Sequence, residues 1–104
     1  MAAIAYTVTA TFADKAVADE WLSWLREGHV ASVLAAGATD VEIVELDGPA
    51  RSVEVRYHFP SRQVFEQYEK EHAPRLRAEG LQRFPPERGI SYRRSIGVLV
   101  HKQE

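Results

Sequence analysis

Two stretches, Trp21–Gly37 (WLSWLREGHVASVLAAG) and Val64–Gly80 (VFEQYEKEHAPRLRAEG), align without a gap. In that register His29 falls on His72, Ala35 on Ala78 and Gly37 on Gly80. Leu22, Leu25 and Val33 fall on Phe65, Tyr68 and Leu76. Apolar residues three and four positions apart share one face of a helix, so each stretch reads as a helix with a single apolar stripe. Each is flanked on both sides by strand-like segments, and the chain reads as two strand–helix–strand halves.

Upstream of the first helix, Ala3 to Phe12 alternates: Ile4, Tyr6, Val8 and Phe12 point one way and Thr7, Thr9 and Thr11 the other. A period of two marks a strand with one buried face. Asp14 is placed to cap the helix that carries Val17, Trp21, Trp24 and Leu25, because its carboxylate accepts the free N–H groups of the first turn. Gly28 weakens that helix, which is expected to bend there and run on to Ala36, with Gly37 at its C-terminus. Val41 to Leu46 and Arg51 to Phe59 form a hairpin about the Asp47-Gly48-Pro49 turn signal. Val53, Val55, Tyr57 and Phe59 share one face; Ser52, Glu54, Arg56 and His58 share the other. Ser61 opens the second helix. Pro74 interrupts it by removing an N–H, or begins a short new helix ending near Gly80. After Pro85-Pro86, Gly89 to His101 reads as a long final strand.

The order β-α-β-β-α-β predicts an α+β, ferredoxin-like fold. Its antiparallel sheet carries two interrupted helices on one face, in a single domain over residues 1–104. The other face would carry Thr7, Thr9, Glu54, Arg56, His58 and Arg93. It is too polar for a core, and it meets either water or the same face of a second subunit. The long final strand leaves an edge that needs managing, and a homodimer through the polar sheet face is the expected assembly.

Composition narrows the function classes. A net charge of −2 gives no field aimed at nucleic acid or anionic lipid. No cysteine is present, which excludes disulfides, thiolate nucleophiles and zinc–thiolate sites. No apolar stretch approaches the ~20 residues that span a bilayer, and no basic-then-apolar leader is evident. The expectation is a cytoplasmic protein with no nucleic-acid or membrane partner.

Several segments carry a family resemblance: Tyr6-Thr7-Val8, Glu20 to Leu25 with its paired tryptophans, His29, Val33-Leu34, Tyr57, Tyr68, Glu71 to Arg77 and Phe84. Together they resemble a family of short bacterial proteins known as a domain of unknown function. That family is similar in fold to the dimeric α/β barrels, in which two ferredoxin-like sheets close face to face. The resemblance implies the fold and the dimer. The wider superfamily includes cofactor-independent monooxygenases, isomerases of small ring compounds and haem proteins. No catalytic residue is carried over.

The candidate site residues follow from position. His29 and His72 each sit at a helix interruption on the stripe expected to face the sheet. Each either contacts a ligand in a cavity or bonds backbone groups freed by the break. Trp21 and Trp24 read first as core and second as a ligand-stacking wall. Glu54, Arg56, His58 and Arg93 read as an interface or a solvated face, with an acid–base site as the alternative. The four histidines lack a metal-ligand spacing, so neither a metal nor a cofactor is expected. Serine elbows and phosphate-binding glycine loops are absent. The reading is a small-molecule binder, with His29 and Trp24 as cavity groups and Tyr6 and Tyr57 as the sheet wall. Its competitors are an enzyme of the monooxygenase or isomerase type with His29 as base, and an interaction module without ligand. His29 is expected to be neutral and held by one hydrogen bond, and His72 to have both ring nitrogens occupied.

Overall fold

In the computed structural model, which describes residues 2–103, the alternating N-terminal segment forms the central strand β1 (Ile4–Phe12). It pairs antiparallel with β3 (Arg51–Phe59) on one side and β4 (Ile90–Val98) on the other. β2 (Asp40–Leu46) lies outside β3, so the sheet order is β2-β3-β1-β4. The register sets Tyr6 between Tyr57 and Ile96, and Val8 between Val55 and Arg94. Because side chains alternate across a strand, these residues all project to one face. Ile4, Ala10, Phe12, Val53, Val55 and Phe59 on that face are buried.

The helices cover this face alone. α1 (Lys15–Trp24) begins where the Asp14 carboxylate accepts from the Ala16 N–H at 3.0 Å. A π-helical turn over Leu25–His29 follows, its Val30 N–H reaching back to the Leu25 carbonyl. α2 (Val30–Ala35) runs to Gly37, whose φ of +130° ends it. α3 (Arg62–Glu71) begins with the Ser61 hydroxyl accepting from the Val64 N–H at 3.2 Å. α4 (Ala73–Arg83) restarts at Pro74, where the missing N–H costs nothing. A 3₁₀ turn (Pro86–Arg88) leads into β4. The repeat is real at the level of burial: Leu22 and Phe65, Leu25 and Tyr68, and Val33 and Leu76 are all buried. Phe59 anchors the second half, its ring 5.1 Å from Phe65 and 5.0 Å from Tyr68. Truncating such fully enclosed side chains to alanine costs about 3–5 kcal/mol.

The opposite face is polar, as expected. Thr9 lies between Glu54 and Arg93, and Thr7 beside Arg56. Glu54 and Arg56 pair at 2.7 Å, and Thr11 and Ser52 share a hydrogen bond of 2.9 Å.

Two boundaries differ from the sequence reading. α4 passes through Gly80 and stops at Arg83. Gly80 serves a close approach instead: a Cβ there would lie 3.2 Å from Trp24 Cη2. β4 ends at Val98 and not His101. Val98 already lies opposite Ile4, the first residue of β1, and after the Leu99 N–H bonds the Ala3 carbonyl at 2.9 Å the partner strand is exhausted.

Candidate functional site between helices and sheet

The site is built on Tyr6 and Tyr57, neighbours across β1 and β3 with ring centroids 6.0 Å apart and planes 22° from parallel. Tyr68 from α3 sits 6.3 Å from Tyr6 and closes one side. The hydroxyl of Tyr6 accepts from two guanidinium groups, Arg77 of α4 and Arg94 of β4, each at 3.1 Å. Arg77 also donates to Glu69 at 2.7 Å. On the other side Trp21 and Trp24 project from the last turn of α1, centroids 6.5 Å apart. Trp24 lies flat on the His29 ring, 4.1 Å between centroids and 21° from parallel.

These groups border a cavity of about 50 Å³. Its wall includes all four residues expected from the sequence, Tyr6, Trp24, His29 and Tyr57. It also includes Trp21, Arg77 and Arg94. The two arginines were missed because, on a helix and an edge strand, arginine reads as solvated. For Arg94 a signal existed: it shares the parity of Ile90 and Tyr92, which turn toward the helices. A larger cleft of about 390 Å³ lies at the far end, between the start of α1 and the β2–β3 hairpin. It is a surface trough, and its Lys15 and Asp19 neutralise each other at 2.7 Å. The two residues with an unsatisfied buried polar atom, Trp21 and Arg77, both border the smaller cavity.

Burial holds the His29 imidazole down to a pKa of about 4, with the Glu79 carboxylate pulling the other way. At neutral pH its ring is therefore uncharged. Burial pushes Tyr68 up to about 12, with Tyr6 adding to the effect, and raises Tyr57 further. Both remain protonated phenols. Burial works against the charge on Arg77, but the Tyr6 hydrogen bond and the Glu69 carboxylate outweigh it and raise its pKa. Tyr92 is raised by burial and donates to the Phe84 carbonyl at 3.1 Å. The Trp21 indole lies near enough to oppose part of that rise without forming a hydrogen bond to it. Trp21 Nε1 and Arg77 Nε are both buried without a partner.

The two histidines depart from expectation. Among the described residues no protein group bonds the ring nitrogens of His29, against the one bond expected, or of His72, against two. Groups other than the imidazoles bond the backbone at each break. In the first half the Ser32 hydroxyl takes the Gly28 carbonyl at 3.1 Å. In the second, the His72 N–H bonds the Tyr68 carbonyl at 2.9 Å and the His72 carbonyl receives the Leu76 N–H at 3.1 Å. Among the described residues there is no cluster of three His, Cys, Asp or Glu side chains able to hold a metal. No helix there is long and apolar enough to cross a membrane.

Fold and cavity together define an α+β ferredoxin-like domain with an aromatic chamber between its helices and sheet. The chain belongs to the family DUF4286, a domain of unknown function, whose sequence profile matches residues 3–96. No curated protein matches it significantly. Solved structures are similar over the whole chain at low identity. A dimeric ferredoxin-like protein from an uncultured marine organism is 15% identical with a TM-score of 0.75, covering 99% of this chain and 100% of that one. A candidate antibiotic biosynthesis monooxygenase from Bacillus cereus is 12% identical with a TM-score of 0.69, covering 100% and 99%. A haem-degrading protein of Mycobacterium tuberculosis, with two haems in its active site, is 13% identical with a TM-score of 0.67, covering 96% and 99%. At these identities the likeness is one of fold.

Proposed function

We propose that this protein binds a small molecule in the chamber between helices and sheet, acting as a cytoplasmic homodimer joined through its polar sheet face. The observation that carries the binding reading is the orphaned indole N–H of Trp21, a residue only 3% exposed that borders the cavity. A buried donor without a partner costs about 1–3 kcal/mol, a cost that a ligand acceptor or bound water removes. The void of about 50 Å³ has room for water or a few heavy atoms. Ligand chambers usually measure hundreds of Å³, so a ring-sized ligand requires Trp24 to move. Trp24 is the wall best placed to do so, being half-buried and directly before the π-helical turn. Such turns frequently mark functional positions.

A second reading, turnover with His29 taking a proton from the substrate, is supported by the neutral ring with no protein partner. A pKa of about 4 makes that ring a weak base at neutral pH, which favours binding over base catalysis. The dimer is supported by the dimeric marine protein of the same fold and by the paired polar groups across the open face. The absence of cysteine fits a reducing compartment.

The test is a fragment titration followed by amide and indole chemical shifts. Perturbations should cluster on Tyr6, Trp21, Trp24, His29 and Tyr57. Shifts confined to the far cleft, or none with any fragment, would remove the reading. Loss of turnover in His29→Ala, with binding retained, would promote the second reading over the first.

A further inference from the structure

We propose that the ligand of this chamber is an anion, and that its charged oxygen is received by Arg94 and the Trp21 indole N–H. The inference rests on the binding reading above and names the chemical class of the ligand. Among the described residues the cavity wall carries two arginines and no carboxylate, in a chain whose overall charge is −2. The two arginines are not equivalent. Arg77 is neutralised by Glu69 at 2.7 Å. Arg94 has no carboxylate within ion-pair distance among the described residues; its Nε donates to the Tyr6 hydroxyl and its guanidinium carbon lies 5.9 Å from the Tyr92 ring centroid. Its terminal NH₂ groups make no hydrogen bond among the described residues, and the residue is exposed where it borders the cavity. The wall therefore holds one uncompensated positive charge.

The second observation is independent of charge. Trp21 Nε1 is a donor only, fully buried and unpartnered. A cationic ligand would leave it orphaned and would add repulsion from Arg94. A neutral acceptor would satisfy it but leave Arg94 unused. An oxyanion satisfies both, and charge-assisted hydrogen bonds are about twice as strong as neutral ones. Tyr6 holds Arg94 in place, since its hydroxyl is fixed from the other side by Arg77. The remaining wall is aromatic, which suits a flat apolar body on the acid. The class is thus a small carboxylate or phenolate, with acetate as the size that fits without movement and benzoate as the size that requires Trp24 to yield.

The experiment reads the Trp21 indole N–H cross-peak, one of only two in the chain because it has two tryptophans. The peaks are assigned with Trp24→Phe. Acetate and benzoate are titrated against their neutral isosteres acetamide and benzamide, at constant ionic strength. The expected result is a downfield shift of the Trp21 peak with at least tenfold preference for acid over amide in one pair or both. In Arg94→Gln that preference should shrink to within about threefold, the indole peak staying in its folded position. Amides that bind as tightly as acids overturn the anion inference while leaving the chamber as a binding site. A Trp21 peak moved by none of the four compounds overturns the anion inference, and if no other fragment reaches the chamber, the binding reading falls as well. Preference for acids that persists unchanged in Arg94→Gln removes Arg94 from the proposal and refutes it as stated.

Discussion

Lowering the pH should weaken this fold through one identifiable residue. The His29 pKa is about 4 in the folded chain, down from an ordinary 6.5, because burial disfavours its charged form. The unfolded chain therefore binds the proton more readily, and stability is complete above about pH 6.5 and lost as pH falls toward 4. With those two values the linkage relation gives a loss of about 2 kcal/mol at pH 5. The ring is only half-buried, so solvent screening trims this to about 1–2 kcal/mol. Glu79, the one charged group acting on the ring, opposes the depression, and Glu79→Gln should steepen the dependence slightly. The assay is urea denaturation followed by tryptophan fluorescence at pH 7 and pH 5, in wild type and in His29→Gln. Only the difference in pH dependence is compared, because the variant also loses the stack on Trp24. Wild type should lose about 1–2 kcal/mol more than the variant between the two pH values. Equal losses would refute the claim that His29 is held neutral by burial.

Trp21→Ala should destabilise by about 3–5 kcal/mol, since the side chain is enclosed. Trp24→Ala should cost less because its side chain is only partly buried, and the order of the two urea midpoints checks this. Gly37→Ala should cost about 1–3 kcal/mol, because φ is +130° and the new Cβ would sit 2.9 Å from Val64 Cγ1. Gly80→Ala meets the edge of a ring that has a void beside it. Its midpoint should stay within about 0.5 kcal/mol of wild type, as helix propensity offsets the contact, while tryptophan emission shifts. Light scattering at micromolar concentration should report about twice the chain mass of 11.7 kDa, and a monomer there would end the dimer reading.

Much of the fold was legible because the relevant signals are local. Asp14 and Ser61 cap the helices they precede, and β3 occupies the predicted Arg51–Phe59. Alternation fixed which face of each strand is buried. The end of β4 was not legible, since it depends on where its partner β1 begins. The π-helical turn was read only as a weak point at Gly28, because the phase slip between Leu25 and Val33 is small enough to pass within one broad apolar stripe. Tyr6, Trp24, His29 and Tyr57 were placed in the cavity wall by asking which polar and aromatic groups face the core. Arg94 escaped because its charge outweighed its parity, Arg77 because an arginine on a helix reads as solvated, and the role of Gly80 because close approach to Trp24 is a tertiary fact.

The π-helical turn also solves a problem of angular phase. Leu25 and Val33 are eight residues apart, and at 3.6 residues per turn an unbroken α-helix would rotate Val33 about 80° away from Leu25. Absorbing one residue into a wider turn leaves an offset of only about 20°, and both side chains lie in the core. Tyr68 and Leu76 have the same spacing and the same burial, and between them the helix restarts at Ala73-Pro74. One half thus takes up the surplus residue by widening the coil and the other by breaking it. What the two halves have in common is a rotation, reached by unrelated local chemistry. Removing Gly28 should therefore restore a plain α-helical turn and leave Val33 on the sheet, with Leu25 and Val33 still within about 20° of one another.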